Sequence, residues 1–395
     1  MSSKGYFFDL LNRHCEEVNL ERFSEAGKGQ NYIEFNGSMV PFSYGELREE
    51  YEQVRNNFAL FDMSATRKIR VKGRDAGNFL DRILSRTVNS GPGMRVVYAL
   101  ICAETGCVAD DVIIYKLSSE EYIVMPALMD GAYLDYLRAS ICNDLAVTIE
   151  EESGLAGVAL QGPASAEVLR RCGFDDIADL RPFSIREYGL AGSRMLIARM
   201  GFTGDLGYEC WVDRSCCGAL GEVVSTAGAT MGLRVSGYGL AVAEACRIEA
   251  GLIVPGRDLA TDRVPNPGFE RFPAELGLDW LVKLDGREFL GREALAAHVI
   301  AGPRFVLRSL TIAGDHRLPH GTELLADEEV IGHVTSSSWS WGLCTTIGHA
   351  SIAVRHAERA EAAVVVAGQR APVALHKGPL IRLLRKTQVP APSFG

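Results

Sequence analysis

The sequence predicts an α+β fold, in which a doubled α+β unit is followed by a small β-rich C-terminal domain, a barrel or a sandwich. Three observations carry this. Helical and extended patterns alternate without the regular βαβα rhythm of a parallel sheet. The stretch RVKGRDAGNFLDRIL (70–84) is echoed by VALQGPASAEVLRRC (158–172), each reading as strand, glycine, short turn and helix. From Arg304 onward, short β-runs are separated by Gly and Asp turns. Two echoes make a duplicated unit, since repeat arrays need three or more copies.

Taken in chain order, 44–57 reads as a charged surface helix, 67–72 as an alternating strand and 75–84 as a helix. Segments 108–117 and 122–124 pair around the Ser-Ser-Glu-Glu turn. A helix is expected over 129–141, a strand over 148–160 and a helix over 165–172. Strands follow at 195–200 and 208–212, then helices at 216–231 and 240–250. Segment 255–273, PGRDLATDRVPNPGFERFP, holds four prolines and reads as an ordered loop or crossover. The C-terminal β-runs are 305–312, 330–335, 347–354, 363–366 and 371–375.

Composition narrows the function. A chain of 395 residues, 47% hydrophobic and 23% charged, is ordinary globular material of two or three domains. Its net charge of −9 argues against nucleic acid as a partner, because phosphate binding needs a basic face. No apolar run reaches the roughly 18 residues of a spanning helix, so no membrane partner is expected. The N-terminus has early acids and no apolar core of a signal peptide, which leads to the expectation of a cytoplasmic protein. None of the ten cysteines forms a C-x-x-C pair, and of eight histidines only His14 precedes position 298. Free thiols and no metal are expected. Chemistry in the main body therefore falls to carboxylates, tyrosines or a borrowed cofactor.

Asp110 and Asp111 begin an apolar strand, and alternation points them to opposite faces, with Asp111 beside Ile113 and Tyr115. Asp111 is either an edge acid of a turn or a carboxylate entering a cavity, where burial would shift its pKa. Glu209 stands in GFTGDLGYECW (201–211) on one face with Trp211. It is either solvent-facing or an acceptor for the paired N–H groups of a flat, amidine-like heterocycle. Arg247 either bridges to Glu244 on its own helix or, like Arg257, holds a ligand carboxylate. Tyr98, Tyr188 and Tyr238 are packing or site tyrosines. G-x-G-x-x-G and G-x-x-x-x-G-K-[ST] loops are absent, which disfavours a nucleotide-binding reading. Each echo is followed by an acid-bearing strand, GCVADDVIIY (106–115) and GDLGYECWV (204–212). The doubling thus predicts that these acids occupy equivalent strands and face a shared cavity.

Six segments together resemble the glycine cleavage system T-protein (aminomethyltransferase) superfamily, and more closely its tetrahydrofolate-dependent demethylase branch. They are FALFDMSATRKIRVKGRDAGNFLDRIL (58–84), YALICAETGCVADDVIIYKL (98–117), ALQGPASAEVL (159–169), ARMGFTGDLGYECWV (198–212), ACRIEAGLIVPGRDL (245–259) and ELGLDWLVKLDGREFLGREAL (275–295). The resemblance implies a three-lobed T-protein-like ring around a central folate cavity, with a C-terminal small β-barrel domain. It implies a folate-binding core of two related α+β lobes over 1–280 and a barrel-like domain over 281–395. It also implies tetrahydrofolate as cofactor, with Asp111 facing its reactive nitrogens, Glu209 on the pterin edge and Tyr98 lining the site. Arg247 and Arg257 would meet a carboxylate, and Tyr238 is a candidate acid or base on the substrate side.

Departures from the family pattern favour the demethylase branch. Its Asp-x-Ser-His becomes Asp62-Met63-Ser64-Ala65, its Val-Asn-Ala becomes Met125-Pro126-Ala127, and its Ala-Arg-Asp becomes Val242-Ala243-Glu244. The tyrosine after Lys-x-Pro gives way to Leu380 or Ile381. The expectation is a one-carbon transferase that takes a methyl or methylene from a small methylated substrate to tetrahydrofolate, with a lipoyl carrier protein not expected as partner. The alternatives are the glycine-cleavage aminomethyltransferase itself and a non-catalytic folate-binding accessory protein.

Overall fold

The computed structural model describes residues 3–4, 32–36, 38–141 and 144–390, so His14, Cys15 and Cys142 lie outside the described residues. The chain divides into two compact units. One comprises Met1–Thr66, Ser153–Arg247 and Ile381–Gly395, and the other Arg67–Glu152 and Ile248–Leu380.

The second unit holds a five-stranded antiparallel sheet, in the spatial order Arg95–Cys102, Val108–Lys116, Glu121–Pro126, Ile69–Lys72, Thr148–Glu151. Helix Ala76–Ile83 places Ala76, Phe79, Leu80 and Ile83 on one stripe, the spacing that buries a helix face. That stripe packs on Val97, Ala99, Ile101, Val112 and Ile114 of the sheet, together with Leu134 and Leu137 from helix Gly131–Ile141. The opposite face, through Leu100, Cys102 and Val108, packs on Ile253, Leu259, Phe272, Leu276 and Leu281. Alternation along two strands therefore separates a helix-covered face from a loop-covered one.

The same unit carries a closed six-stranded barrel. Strand Phe305–Ile312 pairs with Thr345–Ala353, and the order continues through Glu329–Ser340, Glu323–Ala326, Glu361–Val366 and Gln369–His376 back to the first. Leu310, Ile312, Leu324, Val334, Ile352, Val364 and Val373 fill its core. Closure leaves no free strand edge, which decides between the barrel and sandwich readings. Helix Arg292–Ala301, not anticipated from the sequence, starts after Gly291 at φ 78°.

In the first unit the sheet order is Ile185–Leu190, Ser193–Ala198, Gly207–Asp213, Leu155–Gln161, Ala59–Asp62, again antiparallel throughout. Helices Ser165–Arg171 and Cys217–Thr230 contribute Val168, Leu169, Leu220 and Val224 to its core. Gly157 lies opposite Trp211 in register, and a Cβ there would come within 2.4 Å of the indole. The C-terminal segment is tied into this unit. Arg385 donates from Nε and Nη2 to the two carboxylate oxygens of buried Asp205 at 2.6 and 2.8 Å, and Arg55 donates to the same carboxylate at 3.3 Å.

Both units thus run strand, helix, three-strand meander, helix, with the meander beside the first strand. This is the duplication announced by the echo. It also corrects the placement of the acids. Asp111 lies on the middle strand of its meander and Glu209 on the third strand of the other, so their strands are not equivalent. The continuous strand expected over 148–160 is likewise two strands of different sheets, Thr148–Glu151 and Leu155–Gln161, interrupted where Glu152 turns its carboxylate onto Arg70. Among the described residues, no helix is long and apolar enough to cross a membrane.

Candidate functional site

The Asp-Asp pair divides its labour as strand alternation requires. Asp110 is fully buried and accepts from the backbone N–H groups of Leu128 at 3.0 Å and Met129 at 2.8 Å, fixing the turn that follows strand Glu121–Pro126. Burial pushes its carboxyl up to about 6, against the downward pull of those N–H groups. Asp111, on the other face, is half-buried, and its Oδ2 accepts from the Tyr98 hydroxyl at 2.7 Å. Burial and then the adjacent Asp110 charge push Asp111 up to about 7, while the Tyr98 hydrogen bond draws it down. Burial and the Asp111 charge hold the Tyr98 hydroxyl well above the usual phenol range, so it remains a donor. An indole not singled out in the sequence, Trp280, lies beside Tyr98 with ring centroids 6.3 Å apart. Its position in LGLDWLVK shows no periodicity that would mark it, because it sits on a short 3₁₀ turn.

In the first unit, Glu209 is 5% exposed and pairs in register with Ala159 and Ala198, so small neighbours flank the carboxylate. Tyr208, Cys210 and Val212 point to the helix-covered core, which leaves Glu209 and Trp211 on the other face, as expected. Tyr238 is buried against Phe61 with ring centroids 5.4 Å apart. Burial, with Cys246 and Glu209 nearby, holds its hydroxyl well above the usual range.

The two arginines differ. Arg247 is fully buried and forks onto Glu244, donating from Nε at 3.0 Å and from Nη2 at 2.5 Å, which is the intrahelical ion pair. Arg257 is exposed. The adjacent Asp258 is buried and accepts from the hydroxyls of Thr335 and Ser336, both at 2.7 Å, and from the Val254 N–H at 2.9 Å. The Pro-Gly-Arg-Asp turn is thereby fastened to the barrel. Among the described residues, no three His, Cys, Asp or Glu side chains gather as a metal site, and eight cysteines are free thiols.

Two family models match this chain. The GCVT N-terminal domain covers residues 23–286, and the glycine cleavage T-protein C-terminal barrel domain covers 306–381. The aminomethyltransferase of Moorella thermoacetica is 33% identical over 329 residues, spanning 81% of this chain and 84% of that protein. The aminomethyltransferase of Caldanaerobacter subterraneus is 31% identical over 331 residues, spanning 82% and 85%. The crystal structure of glycine cleavage system aminomethyltransferase T from Bartonella henselae superposes with a TM-score of 0.80 over 98% of this chain and 99% of that one. At 22% identity this likeness speaks for the fold. The aminomethyltransferases of this family take tetrahydrofolate as their cofactor. With both domain models matched and relatives alike over four fifths of its length, the chain belongs to the glycine cleavage T-protein (aminomethyltransferase) family.

Proposed function

We propose that this chain transfers a one-carbon unit to tetrahydrofolate, the carbon coming as a methylene from an aminomethyl group whose nitrogen leaves as ammonia, and that Asp111 serves the proton at the reacting centre. The observation that carries the reading is the Asp111 carboxyl poised at about 7 beside the Tyr98 hydroxyl. A carboxyl with a near-neutral pKa both accepts and releases a proton at neutral pH. The donor set suits a reduced folate, since a carboxylate answers N–H groups and the rings of Tyr98 and Trp280 offer faces to a conjugated system. When bound, tetrahydrofolate supplies the nucleophilic nitrogens.

The chain's own residues have separate tasks. Tyr98 holds Asp111 in one orientation, and burial, followed by the neighbouring Asp110 charge, raises its pKa. Glu209 is proposed as an acceptor for the pterin edge. Tyr238, kept protonated, is proposed as a donor toward substrate. Arg257 is proposed to meet a carboxylate of folate or substrate, with Arg247 contributing through its fork on Glu244.

A second reading, demethylation of a small O-, N- or S-methylated molecule, is favoured by Met125-Pro126-Ala127 and Val242-Ala243-Glu244. There Glu244 is engaged with Arg247 inside the helix. The relatives' names favour the aminomethyl donor, and the aminomethyltransferase reading carries with it a lipoyl carrier protein as partner. Incubating the protein with tetrahydrofolate and either an aminomethyl-lipoyl carrier or a panel of methylated amines, sulfonium acids and methoxy-aromatics tests both. Methylene-folate formed only with the carrier supports the first reading, and methyl-folate formed from a panel member supports the second.

A further inference from the structure

The helix-covered face of the second unit's sheet ends in like charges. Arg95 stands opposite Lys116 in the register of strands Arg95–Cys102 and Val108–Lys116. By alternation Arg95 continues the face of Val97, Ala99 and Ile101, and Lys116 that of Val112 and Ile114, the residues that pack on the helices. Tyr98 and Asp111 belong to the opposite face. Like charges directly across a strand pair are destabilising. Here Lys116 is also 3% exposed, so water does little to screen it. The neighbouring sequence supplies no carboxylate, since no Asp or Glu occurs from Arg82 to Ala103.

The loop 86–94 folds over these cations and satisfies part of them with neutral oxygens. Lys116 Nζ donates to the carbonyls of Asn89 at 3.0 Å and Gly91 at 2.8 Å. Arg95 Nη2 donates to the Val88 carbonyl at 2.6 Å and to Ser90 Oγ at 3.1 Å. The one acid at the base of the loop, Asp81, is taken up by the loop itself. Its Oδ1 accepts from the N–H groups of Val88 at 2.6 Å and Asn89 at 3.3 Å, and its Oδ2 from the Thr87 hydroxyl at 2.7 Å.

Donors and charge are left over. Arg95 Nε is buried without a hydrogen-bond partner. Half-buried Arg86 makes no hydrogen bond or ion pair among the described residues. Burial and then the Arg95 charge pull the Arg86 guanidinium below its usual range, so the two arginines stand close enough to repel. Gly91, at φ 77°, lays bare backbone beside Arg95, where a Cβ would come within 3.5 Å of Nη1. Guanidinium forks held together in this way match the geometry of a tetrahedral oxyanion, whose charge offsets their repulsion.

We propose that Arg86, Arg95 and the loop 86–94 form a binding site for a phosphate group, with Lys116 adding charge and fixing the loop. The site lies on the sheet face opposite Tyr98 and Asp111, and it stands independently of the tetrahydrofolate reading.

The test is calorimetry of the full chain and of R86A at constant pH and ionic strength, with inorganic phosphate, methyl phosphate and acetate as separate titrants. Line broadening of the phosphorus NMR signal detects binding that releases no heat. The expected result is saturable binding of phosphate or methyl phosphate to the parent, weaker by at least about fivefold in R86A. Arg86 holds no other group, so R86A should keep the parent's melting temperature. Binding of both titrants identifies the free ion as sufficient, and binding of methyl phosphate alone identifies the group as part of an organic molecule. No saturable binding of either one overturns the proposal. So does parent-like affinity in R86A, and so does acetate binding as tightly as phosphate, which would mark only a diffuse positive patch.

Discussion

Tyr98 reaches Asp111 diagonally. In the strand register Tyr98 stands opposite Ile113 and Asp111 opposite Leu100, yet the Tyr98 hydroxyl donates to Asp111 Oδ2 at 2.7 Å. Diagonal contacts of this kind are within reach of long aromatic side chains on one sheet face. The carboxyl is thereby held by a group from a neighbouring strand while its own neighbour, Asp110, is locked to Leu128 and Met129.

Removing the hydroxyl should make the acid weaker. Tyr98→Phe deletes a hydrogen bond that favours the ionised form, so Asp111 should rise from about 7 by roughly half to one unit. The pH–rate profile of kcat/KM reads this as an upward move of the limb near neutrality. A limb that moves downward contradicts the assignment.

The raised acids also set a pH dependence of stability. Asp111 stands at about 7 and Asp110 at about 6, against an ordinary aspartate near 3.9. Between those values the folded protein keeps protons that the unfolded chain has released. Stability therefore falls as pH rises from about 4 to about 7 and levels above. Asp111→Asn removes one contribution, so urea unfolding across this window should show a shallower decline in the variant than in the parent. Identical slopes would show that Asp111 is not raised in the fold.

The tie between the C-terminal segment and the first unit should be structural and costly to break. The Asp205 side chain is fully buried between Arg385 and Arg55. Asp205→Asn removes the buried carboxylate charge that Arg385 and Arg55, whose side chain is 9% exposed, share, and about 3 kcal/mol of unfolding free energy should be lost. Arg385→Ala should cost less, because Arg55 still pairs with Asp205. Denaturant titration ranks the two variants.

Glu209 is assigned to binding rather than to proton movement. Glu209→Gln keeps the shape but halves the acceptor character, so tetrahydrofolate affinity should fall about tenfold with melting temperature little changed. Unaltered affinity by calorimetry would remove Glu209 from the site.

Much of this was legible in the residues. Alternation alone put Asp110 and Asp111 on opposite faces, and the echo at 70–84 and 158–172 announced the doubled unit. The acid strands are not equivalent, contrary to what the echo suggests, because the echo fixes only the first strand and helix. Which strand of each meander bears the acid depends on sheet order, and local sequence does not contain it. The Arg247–Glu244 fork was legible as an i, i+3 pair. Trp280 was not, since a single aromatic in a 3₁₀ turn has no period.

The most direct test of the account is Asp111→Asn measured in two ways, as single-turnover rate and as tetrahydrofolate affinity. A group that moves a proton mainly in the transition state predicts a rate lower by about a hundredfold or more, with affinity within about threefold of the parent. Rate and affinity falling by the same factor would make Asp111 a binding residue only and contradict the central claim.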